Sequence, residues 1–472
     1  MNRLFSLSLV TSSLLFADID LEQLKKQMDE QQLIIQELQL KIKHLEEKKV
    51  FSHKKQDTKI PEFTSINRQQ ATGSFMPSFS QQAFTPDISL IVDTSYVSRD
   101  KSDAEITHLE VPGVAEGIFG SHNHGGHSES TYNANNGFNL NYAELAVSSN
   151  IDPYFRLDTI FHFSPSGVEI EEAYFTSTAL DYGLRVKGGK FLSSFGYLNE
   201  HHHHIWDFND MPLVYEAFLS SHGINEIGFQ VQWVAPTSNY LMFGAEVLQG
   251  DNEAMFGNGS IGDEENPVVD GVTAPSMFVT YVKSSFDIGN TTVYGGLSYV
   301  YGDSRIDHTE DENPHAFAAT SELYGIDLLV KHYFDSYSSL TWQSEVLMRD
   351  MDGRTYVLDD SASVISTLDT KKKQDGLYTQ LIYGLNQSWR VGARYDSIYR
   401  NDVVIDGVNQ NKEDDLYRYS AMIEYQTSEF ARFRLQYNKN KSLFDEDGKR
   451  QDINTIMLQA NIAIGAHGAH SF

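Results

Sequence analysis

The 472-residue chain lacks three features that common classes of protein require. It contains no cysteine, which excludes thiolate metal sites and redox-active thiols and suits an exported protein. After the first twenty residues it has no run of eighteen or more apolar residues, which excludes a transmembrane helix. Basic residues are scarce: 36 Lys and Arg against 65 Asp and Glu give a net charge of −29. That charge excludes nucleic acid as an expected partner and favours attraction of cations.

The first 85 residues predict export followed by a short helical segment. Residues 1–17 combine a basic residue near the N-terminus, the apolar run Leu4–Phe16 and a small residue before the expected cleavage site, which is typical of a signal peptide. A buried N-terminal helix is the alternative. Residues 18–49 carry apolar side chains in steps of three and four, which predicts a coiled coil, or else a lone amphipathic helix on the membrane. Residues 50–85 are rich in Ser, Gln, Thr and Lys and predict a linker.

From residue 86 to 472 the hydrophobic period is two. About sixteen segments of roughly ten residues alternate apolar with polar side chains, and aromatic residues make up 12% of the chain. Connections between the segments are alternately short and long; the long ones include 99–136, 194–223, 303–321, 351–374 and 398–413. Short turns at one end and long loops at the other are typical of bacterial outer-membrane barrels. We therefore predict an all-β transmembrane barrel of about 16 antiparallel strands, preceded by a periplasmic coiled-coil helix.

The C-terminal segment is typical of the same class. Apolar residues from Ile456 to Ile464 alternate with Met457, Gln459 and Asn461, and the last residue is Phe472. A final amphipathic strand that ends in an aromatic residue resembles the signal recognised by the outer-membrane assembly machinery. The expected surroundings are therefore outer-membrane lipid, with the N-terminal helix available to peptidoglycan or periplasmic proteins.

One long connection, Asn199–His222, reads NEHHHHIWDFNDMPLVYEAFLSSH and is too apolar for an ordinary exposed loop. A barrel of about sixteen strands encloses an aqueous channel. In general porins the third long loop bends into the lumen, and this connection is the third on the long side. We predict that it narrows the lumen, with packing across another loop as the alternative. The predicted constriction residues are Trp206, Asp207, Phe208 and Asp210.

Histidines form three clusters, in the first loop, in the third loop and at His467 and His470. Imidazole and carboxylate suit zinc, nickel or copper, and without thiolates the site has moderate affinity. Polar histidines without a metal are the alternative. No cofactor is required, and Zn²⁺ is the candidate transported or transiently bound ion. The predicted metal ligands are His122, His124, His127, His201, His202, His203, His204, Asp207, Asp210 and His222.

The stretch Phe195–Pro236 resembles a group of zinc-regulated outer-membrane proteins of proteobacteria, often labelled TonB-dependent receptors. Gly196–Asn199, Trp206–Asp210 and Trp233–Pro236 carry the resemblance. It implies expression under zinc limitation and a role in metal uptake. A plugged receptor needs a large N-terminal plug and about twenty-two strands, which the chain lacks. The architecture is more similar to the phosphate-selective porins, which are trimers.

The sequence therefore predicts a porin-like channel for passive passage of small solutes, and a homotrimer. Acidic loops such as 251–270 favour cations, zinc among them. A general or anion-selective diffusion porin without a metal role is one alternative, and an adhesin or envelope-tethering barrel is another. No arrangement of Ser, Asp and His indicates an enzyme.

Overall fold

The computed structural model describes residues 86–116, 132–252, 254–262, 267–310, 313–359 and 362–465. Sixteen antiparallel strands close into a barrel, since the first strand pairs with both the second and the last. The prediction of a sixteen-stranded barrel is confirmed. The predicted signal peptide, coiled coil and linker, the first-loop histidines, His467, His470 and Phe472 all lie outside the described residues.

The bounds of the barrel strands are β1 (Asp87–Arg99), β2 (Gly137–Asn150), β3 (Phe155–Ser164), β4 (Gly167–Ser177), β5 (Leu184–Leu192), β6 (Asn225–Val234), β7 (Tyr240–Leu248), β8 (Met277–Ile288), β9 (Thr291–His308), β10 (His315–Tyr333), β11 (Ser339–Leu358), β12 (Val364–Gly384), β13 (Trp389–Ile405), β14 (Leu416–Ser428), β15 (Ala431–Phe444) and β16 (Arg450–Gly465).

The strands turn apolar side chains outward and polar ones inward. On β1, Ile88 and Tyr96 are exposed on the outside, whereas Asp93 and Ser95 are buried. The alternation follows from the pleat, which sends successive side chains to opposite faces of the sheet. An apolar exterior around a polar interior is the arrangement of a barrel that spans a membrane.

The wall of the barrel is uneven in height. Strands β3–β5 have 9 to 11 residues, which is about what one membrane crossing takes, whereas β9–β13 have 17 to 21. The prediction of long loops at 303–321, 351–374 and 398–413 is therefore wrong for most of these residues, because they continue the strands. The extensions are polar, with cross-strand ion pairs such as Lys371–Asp352, so hydrophobic alternation did not reveal them.

Helices are short and lie in the connections: α1 (Asp103–Ile106), α2 (Leu213–Leu219) and two 3₁₀ turns, Leu198–Glu200 and His203–Ile205. None of the helices in the described ranges is long and apolar enough to cross a membrane. The long-side connections also contain the short strands Glu110–Val111, Ala115–Glu116, Asp251–Asn252, Phe256–Gly257, Ile261–Gly262, Pro267–Val269 and Val408–Asn409.

A charge on the outer face tests the orientation of the strands. Leu458 lies near the middle of β16, faces outward and is 51% exposed. We expect Leu458→Arg to lower the free energy of unfolding from lipid vesicles by about 2–4 kcal/mol, because it places a charge in hydrocarbon. Leu458→Val is the matched control and should have little effect. A urea titration in which both variants behave alike would contradict the outward orientation.

Candidate functional site

Residues 193–224, which connect β5 to β6 and are called the lumen segment here, cross the interior of the barrel. The carbonyl of Gly196 accepts a hydrogen bond of 2.9 Å from Lys283 on β8. The carbonyl of Trp206 accepts one of 2.9 Å from Arg434 on β15. These two strands are seven places apart in a ring of sixteen. The segment therefore bridges nearly opposite walls.

The apolar part of the lumen segment has an apolar patch of wall to pack against. Helix α2 buries almost all of its side chains, and Val214, Tyr215 and Phe218 are fully buried. Their partners in the same hydrophobic cluster include Met351 on β11 and Ile398 on β13. The apolar composition that distinguished this connection in the sequence thus reflects packing inside the barrel.

Glu345 on β11 anchors the lumen segment. Its carboxylate accepts hydrogen bonds of 2.9 Å from the backbone N–H groups of Tyr197 and Leu198 and one of 2.7 Å from the hydroxyl of Tyr215. The hydroxyl of Tyr378 donates a further one. A buried carboxylate with four donors is satisfied without a counter-ion, and it ties two parts of the segment to one point on the wall.

The two aspartates of the segment lie against arginines of the wall. Asp207 pairs with Arg390 at 2.9 Å, and Asp210 pairs with Arg394 at 2.9 Å and with Arg418 at 3.1 Å. Burial opposes ionisation of Asp210, but the two guanidinium groups outweigh it and lower its pKa to about 2. The structure thus places both predicted metal ligands in salt bridges, apart from the histidines.

Two cavities lie on opposite sides of the segment and share Asp210. One, about 50 Å³ in volume, reaches Gln343 and Gln380 near the short-turn ends of β11 and β12. The other, about 60 Å³ in volume, reaches Arg99 and Asn440 near the long-loop ends of β1 and β15. The predicted constriction residues line the first cavity: Trp206, Asp207, Phe208 and Asp210.

Acidic and basic side chains are unevenly distributed around the described part of the lumen wall. Ten Asp and Glu side chains of the strands are fully buried, against five Lys and Arg. Within β1–β7, as far as the structure describes them, six of these carboxylates occur, together with one further buried basic side chain, that of Arg99 at the long-loop end of β1, which is 4% exposed. The five cations all lie on β8–β15. One half of the lumen is therefore acidic and the other half carries the basic side chains that meet the aspartates of the segment.

The acidic half holds a histidine–carboxylate cluster. Glu144 on β2 and His162 on β3 are direct partners in the ladder, with Oε2 and Nε2 3.2 Å apart. Glu144 Oε2 also lies 3.0 Å from Nδ1 of His204 in the lumen segment. Nε2 of His202 lies 2.9 Å from Oε2 of Glu172. The cluster consists of Glu144, His162, Glu171, Glu172, His202 and His204.

A β-bulge places two neighbouring carboxylates in this cluster. On β4, Ile170 and Glu172 pair with consecutive residues of β3, so Glu171 between them has no ladder partner. Both Glu171 and Glu172 are consequently 5% exposed and directed inward, although neighbours in a regular strand face opposite sides. Glu171 contacts Nδ1 of His162 and lies 3.7 Å from Nδ1 of His202.

The consecutive histidines divide between different surroundings. His202 and His204 stack with ring centroids 5.6 Å apart, inside the cluster. His203 instead contacts the hydroxyl of Tyr142 at 3.1 Å, and Nδ1 of His201 lies 2.7 Å from the carbonyl of Tyr197. His222 lies at the far end of the segment, its ring 6.2 Å from that of Tyr132. The structure therefore brings together two of the predicted ligands.

Burial disfavours a charged His202, but its hydrogen bonds to Glu171 and Glu172 raise its pKa well above the usual range. In the described ranges, no three His, Asp or Glu side chains surround a point as metal ligands would. The imidazole and carboxylate groups of the cluster contact one another directly instead.

Sequence reasoning missed the wall residues of this site, Glu144, His162, Glu171, Glu172 and Glu345. In the sequence, a polar residue that faces the lumen does not differ from any other polar residue. Which residues pair across different strands depends on the strand register. One signal was present in the sequence: two adjacent glutamates, 171 and 172, interrupt the strict alternation of β4.

A closed sixteen-stranded barrel with a connection folded into its lumen is a porin-like architecture. No protein-family model matches the chain. A protein of Aquifex aeolicus, described as an uncharacterized protein, is 44% identical over 406 residues, which is 86% of this chain and 84% of that one. The chain belongs to the same family as this Aquifex aeolicus protein.

Solved structures of outer-membrane proteins are similar at low identity. A loop L8 deletion mutant of OmpT, an outer membrane protein of Vibrio cholerae, has a TM-score of 0.47 and 11% identity, covering 81% of this chain and all of that one. An anion-selective porin from Comamonas acidovorans has a TM-score of 0.46 and 11% identity, covering 80% and 99%. The outer membrane channel DcaP of Acinetobacter baumannii has 0.45 and 9%, covering 82% and 99%.

Cysteine cross-linking tests the position of the segment, since the chain has no cysteine of its own. Oδ2 of Asp210 accepts a 2.8 Å hydrogen bond from Asn438 on β15. In the double variant Asp210→Cys/Asn438→Cys, we expect a short bifunctional thiol reagent to join the two positions and alter the gel mobility of the denatured protein. Asp210→Cys/Glu322→Cys is the control, because Glu322 lies on the outside with Tyr324. Equal cross-linking of both pairs would contradict the placement.

Proposed function

We propose that the protein is an outer-membrane channel for passive passage of small solutes, and that the lumen segment is its constriction. One observation carries the proposal: the segment is bound to nearly opposite walls, with a cavity on each side that reaches Asp210. A solute that crosses the barrel has to pass this segment. The proposal includes a homotrimer, assembled through the coiled coil predicted for residues 18–49.

We further propose that cations are favoured over anions, and that zinc is one of them. The support is the excess of buried carboxylates on the lumen wall, six of which lie on β1–β7. Charged groups that line a pore select by sign, because their field is screened less there than at the protein surface. Three basic side chains of the opposite half, Arg390, Arg394 and Arg418, are engaged with Asp207, Asp210 and Glu216, which reduces their attraction for anions.

Selectivity is tested by removing one charge from the acidic half. Asp93 on β1 is fully buried and accepts hydrogen bonds from Asn141, Gln459 and Asn461. One unit charge about 8 Å from an ion contributes about 1 kcal/mol at an effective dielectric constant near 40. Because the charge stabilises potassium and destabilises chloride by this amount, we expect Asp93→Asn to lower the potassium-to-chloride permeability ratio about 30-fold, measured from reversal potentials in planar bilayers.

Asp350→Asn is the control for this measurement, since it removes the same charge from an exposed ion pair with Lys373 on the outer part of the wall. An anion-selective wild-type channel would contradict the cation preference and favour a general or anion-selective porin. Purified protein that gives no current at all would favour the adhesin or tethering alternative.

The constriction is tested at its anchor. Glu345→Ala removes the acceptor of four hydrogen bonds that hold the lumen segment, so we expect a larger and noisier single-channel conductance than in the wild type. Glu322→Ala deletes a carboxylate from the outer face and should leave the conductance unchanged. If Glu345→Ala forms folded barrels with wild-type conductance, the segment does not limit the current.

A further inference from the structure

We infer that the cavity on the long-loop side of the lumen segment binds a small neutral polyol, a solute such as glycerol that carries several hydroxyl groups. The inference rests on the proposed function for the transport of such a solute, whereas its binding does not require the barrel to conduct. The cavity is about 60 Å³ in volume and is lined by the segment, by residues 132–134 and by parts of β1 and β14–β16.

The charges that line this cavity cancel. Its lining contains the guanidinium groups of Arg99 and Arg418 and the carboxylates of Asp210 and Glu216. Arg418 lies 3.1 Å from Asp210 and 3.2 Å from Glu216, and Nη1 of Arg99 donates a 3.0 Å hydrogen bond to the carbonyl of Ala134. The guanidinium groups would repel a cation, and the carboxylates would repel an anion. The site therefore favours a neutral solute.

Two polar atoms of the lining have no partner within the described part of the chain. Oδ1 of Asn133 and Oγ of Ser221 are buried without a hydrogen bond, and Asn133 is only 3% exposed. The amide nitrogen of Asn133 donates a 2.8 Å hydrogen bond to the carbonyl of Asn209, which determines the orientation of the amide and leaves Oδ1 as an unused acceptor. Because native proteins rarely leave buried polar atoms without a hydrogen bond, these two atoms indicate a bound partner.

A hydroxyl group suits both atoms. It can donate a hydrogen bond to Oδ1 of Asn133, and it can donate to or accept from Oγ of Ser221, because a hydroxyl has one O–H and two lone pairs. A carboxylate has no proton to donate to the amide oxygen. Several hydroxyl groups on one small skeleton are therefore the chemistry that this lining recognises.

The apolar lining and the volume of the cavity favour a small polyol over water alone. Ile453 and Met457 are both 2% exposed and line the cavity together with Tyr132, which gives a carbon skeleton apolar surface to contact. One water needs about 10–15 Å³ in a cavity, so this one holds about four to six non-hydrogen atoms. Glycerol has about that number, whereas a sugar ring has about twice as many.

The cavity on the short-turn side has a different lining. None of the described residues that line it carries a buried polar side-chain atom without a hydrogen bond. The amide of Gln380, for example, donates to both Asp207 and Gln343 at 3.1 Å. A polyol would have to break such contacts to bind there, so the inference applies to the long-loop side alone.

The test is a glycerol titration of the full chain, followed by saturation-transfer difference NMR in a detergent without hydroxyl groups. We expect a saturable signal. Ser221→Ala and Asn133→Gly should each lower the affinity about 2–10-fold, the effect of losing one neutral hydrogen bond. Ser221→Ala removes a hydroxyl that bonds to no described residue, and glycine suits the backbone of residue 133, whose φ is +58°. Folding of every variant is checked by the heat-dependent gel migration of the barrel.

Ser284→Ala is the matched control, because the hydroxyl of Ser284 bonds to the carbonyl of Tyr240 on the wall and lies outside the cavity. It should bind glycerol as the wild type does. A folded wild-type protein without a saturable signal overturns the inference, and so does undiminished binding in folded Ser221→Ala and Asn133→Gly. Acetate or ethylammonium that displaces glycerol at lower concentration than ethylene glycol does would also overturn it, since the cavity would then select ions.

Liposome swelling separates this inference from the proposed channel. We expect glycerol to enter liposomes that contain the wild-type protein, at a rate that saturates with glycerol concentration. Saturable glycerol binding by a protein that passes no solute into liposomes would refute the channel and leave the site standing. Solute entry through a protein that binds no glycerol would refute the site and leave the channel standing.

Discussion

The structure depends on the contacts between charged groups that hold the lumen segment inside the barrel. Helix α2 supplies apolar area, but burial of apolar surface is non-directional and does not decide where a connecting segment lies. The directional contacts involve charged groups. Asp207 and Asp210 form salt bridges with arginines of β13 and β14, and Glu345 accepts four hydrogen bonds. Removing one member of a buried pair costs about 3–5 kcal/mol, so these contacts determine one position for the segment.

The order of residues in the segment matches the uneven charge of the wall. Its histidines, 202 and 204, face the carboxylates of β2 and β4, whereas its acidic residues, 207 and 210, face the guanidinium groups of the other half. The segment therefore separates two walls of opposite character and is complementary to each. Reversing the order of the two groups would place like charges together on both sides.

The sequence was sufficient for the barrel and insufficient for the site. Lipid demands apolar side chains at every second position, so strand number and loop parity were readable from periodicity. That demand ends above the membrane, so the polar extensions of β9–β13 carry no hydrophobic alternation that distinguishes them from loops. Inside the lumen, polar residues of any type are acceptable, so the pairing of His162 with Glu144, or of Asp210 with Arg394, follows from register and fold alone. The position of residues 193–224 depends both on their apolar composition, which is visible in the sequence, and on the register of the strands, which is not.

The bulge on β4 is a single inserted residue, and this gives it an evolutionary meaning. Deleting Glu171 would let Ile170 and Glu172 continue a regular ladder, keeping the hairpin with β3 and the outward apolar face. One codon thus separates a wall with the extra carboxylate from a wall without it. Members of the family could therefore gain or lose the carboxylate behind His162 while the strands of the barrel stay the same.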